Sequence, residues 1–397
     1  MRSTRKWGVA VTLLTGVAAV AALAASMGGS ATAATRGPIV IGWAYDKTGQ
    51  MAPFDNPALA TARIRINELN AKNGVNGRKL RLDTCDTQNN APARAKSCAR
   101  QLLAKGAHII FTTCDVDFAT PVVQEAINRG KLAISTCIGT DQMGPKRFGR
   151  VKGRLAFSFG NVAQDEGSAM AEYAIRRGWK EAGLATNTLL VYFKNVIQAF
   201  EKRYAQLGGK VVGRESYATG ANNVQLAVTK LNAKKADVYV TSTAFGELPA
   251  FVSGFRTLGN QTPILNSWAG DGTYWVTQNP KVTNYYAVTY ASIFGDDPNA
   301  KINRLGKQVK AGTGGFVQGI GTIDGIVEAI KRANGSTNGT VLSRTLEGFK
   351  KVPTTGGRIS FSRNLHSVFG RQYRVIRVHN NTGSRVGFVT AKVVPKI

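Results

Sequence analysis

Short apolar blocks along the chain alternate with longer segments in which small and apolar residues recur every three to four positions. The first block, IVIGWAY at Ile39–Tyr45, reads as a strand. A run rich in turn formers follows, KTGQMAPFDNP, and then a helical segment over 58–70. That helix stops at NGVNG, where two Asn-Gly dipeptides mark a turn. Strands at 79–83, 107–112 and 132–135 then alternate with helices at 92–105 and 121–130. In the second of these helices Thr120 is expected to cap, with Pro121 at the first helical position. The resulting β-α-β-α-β-α-β order implies a parallel sheet with helices on both faces. Downstream the alternation resumes, with helices at 164–177, 195–207, 224–234 and 248–258 and strands at 210–217, 237–241 and 263–266. A long amphipathic helix covers 317–333, and from Arg358 the chain turns to short strands. The pattern therefore predicts two α/β units with little linker between them.

Composition agrees with this division. A chain of 397 residues is long for one core, and 43% hydrophobic with 19% charged residues is a globular composition. The first 33 residues read differently: Arg2, Arg5 and Lys6 form a basic start, 9–23 is apolar, and Ala31-Thr32-Ala33 fits a cleavage site. We expect export and removal of this leader, with no lipid anchor because no cysteine lies near the cleavage point. The formal charge is +29, which loss of the three leader cations lowers to +26. The basic residues are scattered in pairs such as Lys202-Arg203, Lys234-Lys235 and Lys350-Lys351, without an aromatic-interleaved stripe. That excludes a nucleic-acid partner and leaves a loose association with a polyanionic envelope.

The chemistry of such a sheet sits at the carboxyl ends of its strands, where loops lead into helix N-termini. The loops at 46–57, 86–91, 113–120 and 136–144 qualify. One of them carries the stretch IIFTTCDVDFATP, which places Asp115 and Asp117 at a ligand rim as hydrogen-bond acceptors. No G-x-S-x-G, H-E-x-x-H or P-loop occurs, and the glycines of GTGGFVQGIG follow no strand. With three histidines and no C-x-x-C, a metal site has little to build on. Neither an enzymatic role nor a cofactor is expected.

The run GPIVIGWAYDKTGQMAPF, followed by INELNAKNGVNGRKLRLDTCDTQ, resembles the opening of extracytoplasmic solute-binding proteins of the leucine/isoleucine/valine-binding type, which serve ABC importers. The segments ARAKSCARQLLAKGAHIIFTTC, TPVVQEAINRGKLAIS and LGGKVVGRESYATGANNVQLAVTKLNAKKADVYV extend the resemblance over nearly all of the chain after the leader. It implies the type I periplasmic binding fold: two doubly wound parallel-sheet lobes, joined by three crossing strands, with a ligand cleft between them. The crossings then fall near 157–161, 288–293 and 369–375. Lobe 1 comprises 34–157 with 293–370, and lobe 2 comprises 158–292 with 371–397.

Carried over position by position, the resemblance implies a ligand site at Phe54, at Asp115 or Val116, at Cys137, Ile138 and Gly139, and at Tyr192, Phe245, Trp268 and Asp271. Several positions depart from the family pattern. A tyrosine is replaced by Phe54, a carboxylate-binding serine falls on Asp115 or Val116, and the acid that pairs with a ligand ammonium falls on Trp268, with Asp271 three residues on. The implied function is capture of a small polar or amino-acid-like molecule by lobe closure, in a monomer that delivers it to the importer's membrane permease. The alternatives are a ligand-sensing module for a receptor, or a basic envelope-binding protein with a degenerate pocket.

An even number of cysteines in an exported chain favours disulfides. Cys114 and Cys137 end two consecutive strands, while Cys85 ends a strand and Cys98 lies in the helix after it. We expect Cys85–Cys98 and Cys114–Cys137. The family alternative joins Cys85 to Cys114 and leaves Cys98 to Cys137.

Overall fold

The computed structural model describes residues 37–397, so the expected leader lies outside the described residues. In chain order the strands are β1 (Ile39–Tyr45), β2 (Leu80–Asp86), β3 (Ile109–Thr112), β4 (Leu132–Ser135), β5 (Ala156–Asn161), β6 (Glu181–Asn187), β7 (Lys210–Tyr217), β8 (Val238–Ser242), β9 (Ile264–Asn266), β10 (Tyr285–Thr289), β11 (Val352–Thr354), β12 (Gly357–Ile359), β13 (Ser367–Val368), β14 (Tyr373–His379) and β15 (Thr382–Val389). The helices are α1 (Ala52–Ala71), α2 (Pro92–Ala104), α3 (Val116–Asn128), α4 (Pro145–Phe148), α5 (Ala163–Arg176), α6 (Val191–Gln206), α7 (Ala221–Asn232), α8 (Glu247–Thr257), α9 (Ala300–Gln308), α10 (Phe316–Arg332) and α11 (Gly339–Glu347).

Two sheets organise them. The first has the order β13-β5-β4-β3-β1-β2 and every pairing in it is parallel. The second has the order β15-β14-β10-β9-β8-β6-β7, parallel from β10 to β7, with β14 and β15 added antiparallel. All seven residues of β1 are buried, as a parallel strand covered by helices on both faces requires. The chain passes between the sheets three times: after β5, after β10, and between β13 and β14.

Each sheet repeats one winding. The first five strands run 2-1-3-4-5 across the first sheet, and β6 to β10 run in the same sense across the second. In a doubly wound sheet the crevice opens where the winding reverses. That point lies between β1 and β3 in the first lobe and between β6 and β8 in the second.

Two helix starts differ from the sequence reading. Helix α1 begins at Ala52, not at residue 58, and takes in both Pro53 and Pro57. Proline is tolerated in a first turn. The bond that Pro57 cannot make leaves the Pro53 carbonyl free of the helix, and the Thr313 hydroxyl donates to it at 3.3 Å. Helix α3 begins at Val116, and its cap is Asp115 rather than Thr120. The Asp115 carboxylate accepts from the Asp117 and Phe118 amides at 2.8 and 3.2 Å, so Pro121 falls inside the helix. Thr120 instead donates back to the Val116 carbonyl at 2.7 Å. The NGVNG stretch is a tight turn as expected: Asn73, Gly74, Asn76 and Gly77 all have positive φ, and Val75 pairs with Arg78. A Cβ at Gly74 would lie 1.9 Å from the Arg78 carbonyl oxygen.

The disulfides are Cys85–Cys98 and Cys114–Cys137, with Cα separations of 5.5 and 4.9 Å. Both are the expected pairs, the first from closeness along the chain and the second from strand adjacency, and the family alternative is not formed.

Candidate functional site

The loops at the two switch points carry the chemistry. After β1, Asp46 folds the chain back on itself. One carboxylate oxygen accepts from the Gly49 and Asn89 amides at 2.8 and 3.1 Å. The other accepts from the Met51 amide at 3.0 Å and the Asn90 side chain at 3.2 Å. Asp55, wholly buried in the first turns of α1, accepts from the Asp46 amide at 2.8 Å and the Cys114 amide at 3.1 Å. It thereby ties the loop after β1 to the loop after β3. These two aspartates fix where Phe54, Cys114 and Asp115 sit.

From the second lobe, α6 brings Tyr192 and Phe193, the loop after β8 brings Ala244 and Phe245, and the loop after β9 brings Trp268 and Ala269. Together with Met51, Phe54, Cys114, Asp115 and Leu190 these residues enclose a cavity of about 20 Å³. The space is about that of a single water, so the lobes are closed on each other. Phe54 crosses the interface, its ring 5.2 Å from Trp268, 5.6 Å from Tyr274 and 6.4 Å from Phe245, all edge-on. Tyr192 lies 6.3 Å from Trp268 on the far wall. Phe245 has a φ of 55°, a left-handed conformation that a bulky residue adopts only where its surroundings impose it.

Glu166, at the start of α5, escaped the sequence reading. It is fully buried, accepts the Tyr192 hydroxyl at 2.9 Å and accepts the Trp268 amide at 2.6 Å. One carboxyl group therefore sets both principal aromatic walls. Burial pushes it up to about 8, against which its two hydrogen bonds act. The available signal was an Asp-Glu pair in the first turn of a helix rich in small residues, AQDEGSAMAEYA.

The expected site residues separate into three groups. Phe54, Asp115, Tyr192, Phe245 and Trp268 come together around the cavity. Asp115 is pushed up to about 7 by burial, and then by the neighbouring Asp117 charge. Cys137, Ile138 and Gly139 lie just behind. The amides of Cys137 and Ile138 are held by the Ser135 hydroxyl at 3.3 and 3.2 Å. A Cβ at Gly139 would stand 2.5 Å from the Tyr192 ring. Asp117 and Asp271 do not line the cavity and instead latch the lobes. Asp117 accepts from Arg147 at 2.8 Å and, across the interface, from the Val191 amide at 3.1 Å. Asp271 accepts the Thr289 hydroxyl and, at 2.8 Å, the Gly314 amide ahead of α10. Burial pushes Asp271 up to about 7.

A cleft built from paired switch-point loops of two similarly wound lobes has known counterparts. The model of the periplasmic binding protein family matches residues 38–383. The chain belongs to this family. Among curated relatives, the Leu/Ile/Val-binding protein homolog 3 of Brucella melitensis is 22% identical over 329 residues, covering 82% of this chain and 87% of its own. Solved periplasmic binding proteins share the fold. The branched-chain amino acid transporter substrate binding protein LivJ of Streptococcus pneumoniae, in complex with isoleucine, is 20% identical with a TM-score of 0.76, covering 90% of this chain and 100% of its own. A solute binding protein of an ABC transporter from Rhodopseudomonas palustris, in complex with 3,4-dihydroxy benzoic acid, is 15% identical with a TM-score of 0.73, covering 90% and 99%. Among the described residues no helix is long and apolar enough to cross a membrane, and no group of three or more His, Cys, Asp or Glu could hold a metal ion.

Proposed function

We propose that the protein is an extracytoplasmic solute-binding protein that captures a small molecule between its lobes and presents the closed form to the permease of an ABC importer. The observation that carries this reading is the cavity shared by the two lobes, which at about 20 Å³ is drawn tighter here than a bound ligand would leave it. Phe54 and Asp115 reach it from the first lobe, and Tyr192, Phe245 and Trp268 from the second, each from a loop at the carboxyl end of a strand or the first turn of the helix that follows it. Walls supplied half by each lobe bind a ligand fully only when the lobes meet. The ligand therefore favours closure by its differential affinity for that state. In this reading lobe 1 is 34–157 with 293–370, lobe 2 is 158–292 with 371–397, and the protein acts as a secreted monomer. It binds and releases without making or breaking a bond.

The aromatic walls suit a ligand with an apolar or aromatic body, and Asp115 supplies a polar anchor. Isoleucine in the pneumococcal relative and 3,4-dihydroxybenzoate in the Rhodopseudomonas one are small molecules of that description. The test is to denature the purified protein, identify released small molecules by mass spectrometry, and titrate the compound back by calorimetry. Tyr192→Ala and Trp268→Ala should each weaken binding by about tenfold or more, or ~1.4 kcal/mol. Wild-type affinity in both variants would place the ligand elsewhere.

A further inference from the structure

A second concave site lies at the opposite end of the first sheet. It is a groove of about 1000 Å³ lined by residues of three segments: 145–155, the start of α11, and Arg363 with Asn364. Each segment meets the amino end of a strand. Lys152 to Leu155 run directly into β5, Arg363 and Asn364 precede β13, and a Cβ on Gly339 of α11 would lie 3.1 Å from the first amide of β4. The solute cleft sits at the carboxyl ends of the same strands. The two sites are thus separated by the length of a strand, roughly 20 Å for six residues.

The groove is strongly basic. Lys146, Arg150, Lys152, Arg154, Arg344 and Arg363 line it, and no acidic residue does. Two of the six are neutralised from behind: Arg154 by Glu347 and Lys146 by Asp141. Arg150, Lys152, Arg344 and Arg363 are exposed and enter no ion pair among the described residues. Four cations around one concavity repel one another unless an anion sits among them. Three of the four are arginines, whose planar forks match phosphate oxygens. The volume stands at the upper end of the roughly 300–1000 Å³ of small-molecule pockets, larger than a lone phosphate fills. The lining contains no aromatic side chain, so the stacking platform of single-stranded nucleic-acid sites is missing.

We infer that this groove binds a linear, phosphate-bearing polymer through its backbone phosphates, independently of the solute cleft. The bound polymer would hold the protein at a polyanionic envelope while leaving the lobes free to open and close. The inference stands whether or not the solute reading does, since the two sites share no residue.

Linear inorganic polyphosphate is the probe, titrated at several salt concentrations against the full mature chain. Neutralising four phosphates should give a slope of log K against log salt of roughly −3, at about 0.7 per phosphate. The variant R150A/K152A/R344A/R363A should lose at least tenfold in affinity and most of that slope. A control variant, K234A/K235A/K301A/R304A, removes the same charge outside the groove and should lose no more than about twofold. The single reversal Arg344→Glu, which changes the groove charge by two against four, should reproduce about half of the groove variant's loss on a logarithmic scale. Equal losses in the groove and control variants would mean diffuse attraction by net charge and would overturn the assignment. So would orthophosphate binding as tightly as the polymer, which would indicate a single-anion site. Binding to anionic lipid vesicles in preference to polyphosphate would overturn it in favour of a membrane surface.

Discussion

Glu166 and Asp115 show how much of the cleft depends on buried carboxyl groups. Burial pushes Glu166 up to about 8, and Asp55, Asp115, Asp165 and Asp271 up to about 7. In the unfolded chain these groups titrate near 4. Between those values the folded state holds more protons than the unfolded one, so stability falls as pH rises. Their contribution is full below about pH 4 and is lost as pH passes through 7 and 8. The melting temperature of Glu166→Gln, scanned from pH 5 to 8.5, should therefore fall less steeply than that of the wild type. The amide keeps an oxygen for the Trp268 N–H and cannot ionise. An unchanged slope would remove Glu166 as a contributor. Asp115 permits a sharper separation. Asp115→Ala deletes the cap of α3 and should cost about 1 kcal/mol of stability in denaturant unfolding. Asp115→Asn keeps an oxygen for the two amides, so its main loss should fall on solute affinity, by about tenfold or more in calorimetry. A variant that binds normally would leave Asp115 as a cap alone.

Elements form where local pattern and tertiary contact agree, and the Cys114–Cys137 bond fastens two of them at the cleft. It joins the ends of β3 and β4, which pair directly with Thr112 opposite Ser135. Closing a loop of 23 residues restricts the unfolded chain, so Cys114→Ala with Cys137→Ala should lower the unfolding free energy by about 3 kcal/mol. Equilibrium unfolding in urea measures it, and a loss below about 1 kcal/mol would mean that the loops are held by Asp55 instead. The same local logic made β1, β4 and β7 legible from sequence at their observed bounds, because each is a compact block between turn formers. Strand β6 was not legible. Its sequence, EAGLATN, is mostly small and polar. The reason lies in a neighbouring strand: a Cβ on Gly183 would stand 2.7 Å from the Tyr239 ring of β8, so β6 supplies space while β8 fills it. The early start of α1 was hidden for a similar reason, since the donor to the Pro53 carbonyl that Pro57 leaves open comes from Thr313, far along the chain. Of the cleft, Asp115 was visible as an acid at a strand end. The aromatic walls emerged only through family resemblance, and Glu166 escaped because its role is set by contacts with Tyr192 and Trp268, distant in sequence.

At the scale of the whole molecule the central quantity is the balance between open and closed lobes, and Gly139 offers a direct hold on it. Gly139 follows β4 in the first lobe, whereas Tyr192 belongs to α6 beside the second sheet. In the closed form a Cβ at Gly139 would lie 2.5 and 2.7 Å from two carbons of the Tyr192 ring and 3.3 Å from the Asn161 carbonyl oxygen. The φ of Gly139 lies outside the left-handed range, so alanine fits the local backbone. The clash in Gly139→Ala therefore arises chiefly where the lobes meet, and it opposes closure more than folding. A ligand that must close the lobes is bound more weakly by the factor through which the competent state is depleted. A methyl group forced against a packed ring costs about 1–3 kcal/mol, which corresponds to roughly 5- to 150-fold in affinity. Gly139→Ala should show that loss in calorimetry with the melting temperature of the ligand-free protein nearly unchanged. Small-angle scattering at saturating ligand should report more of the extended form. Shortening the partner restores room, so adding Tyr192→Ala to Gly139→Ala should cost less than the two single losses together, a coupling of about 1 kcal/mol or more in a double-mutant cycle. Additive losses would show that Gly139 and Tyr192 do not meet during closure, and lobe closure would then have to be governed by the latches at Asp117 and Asp271.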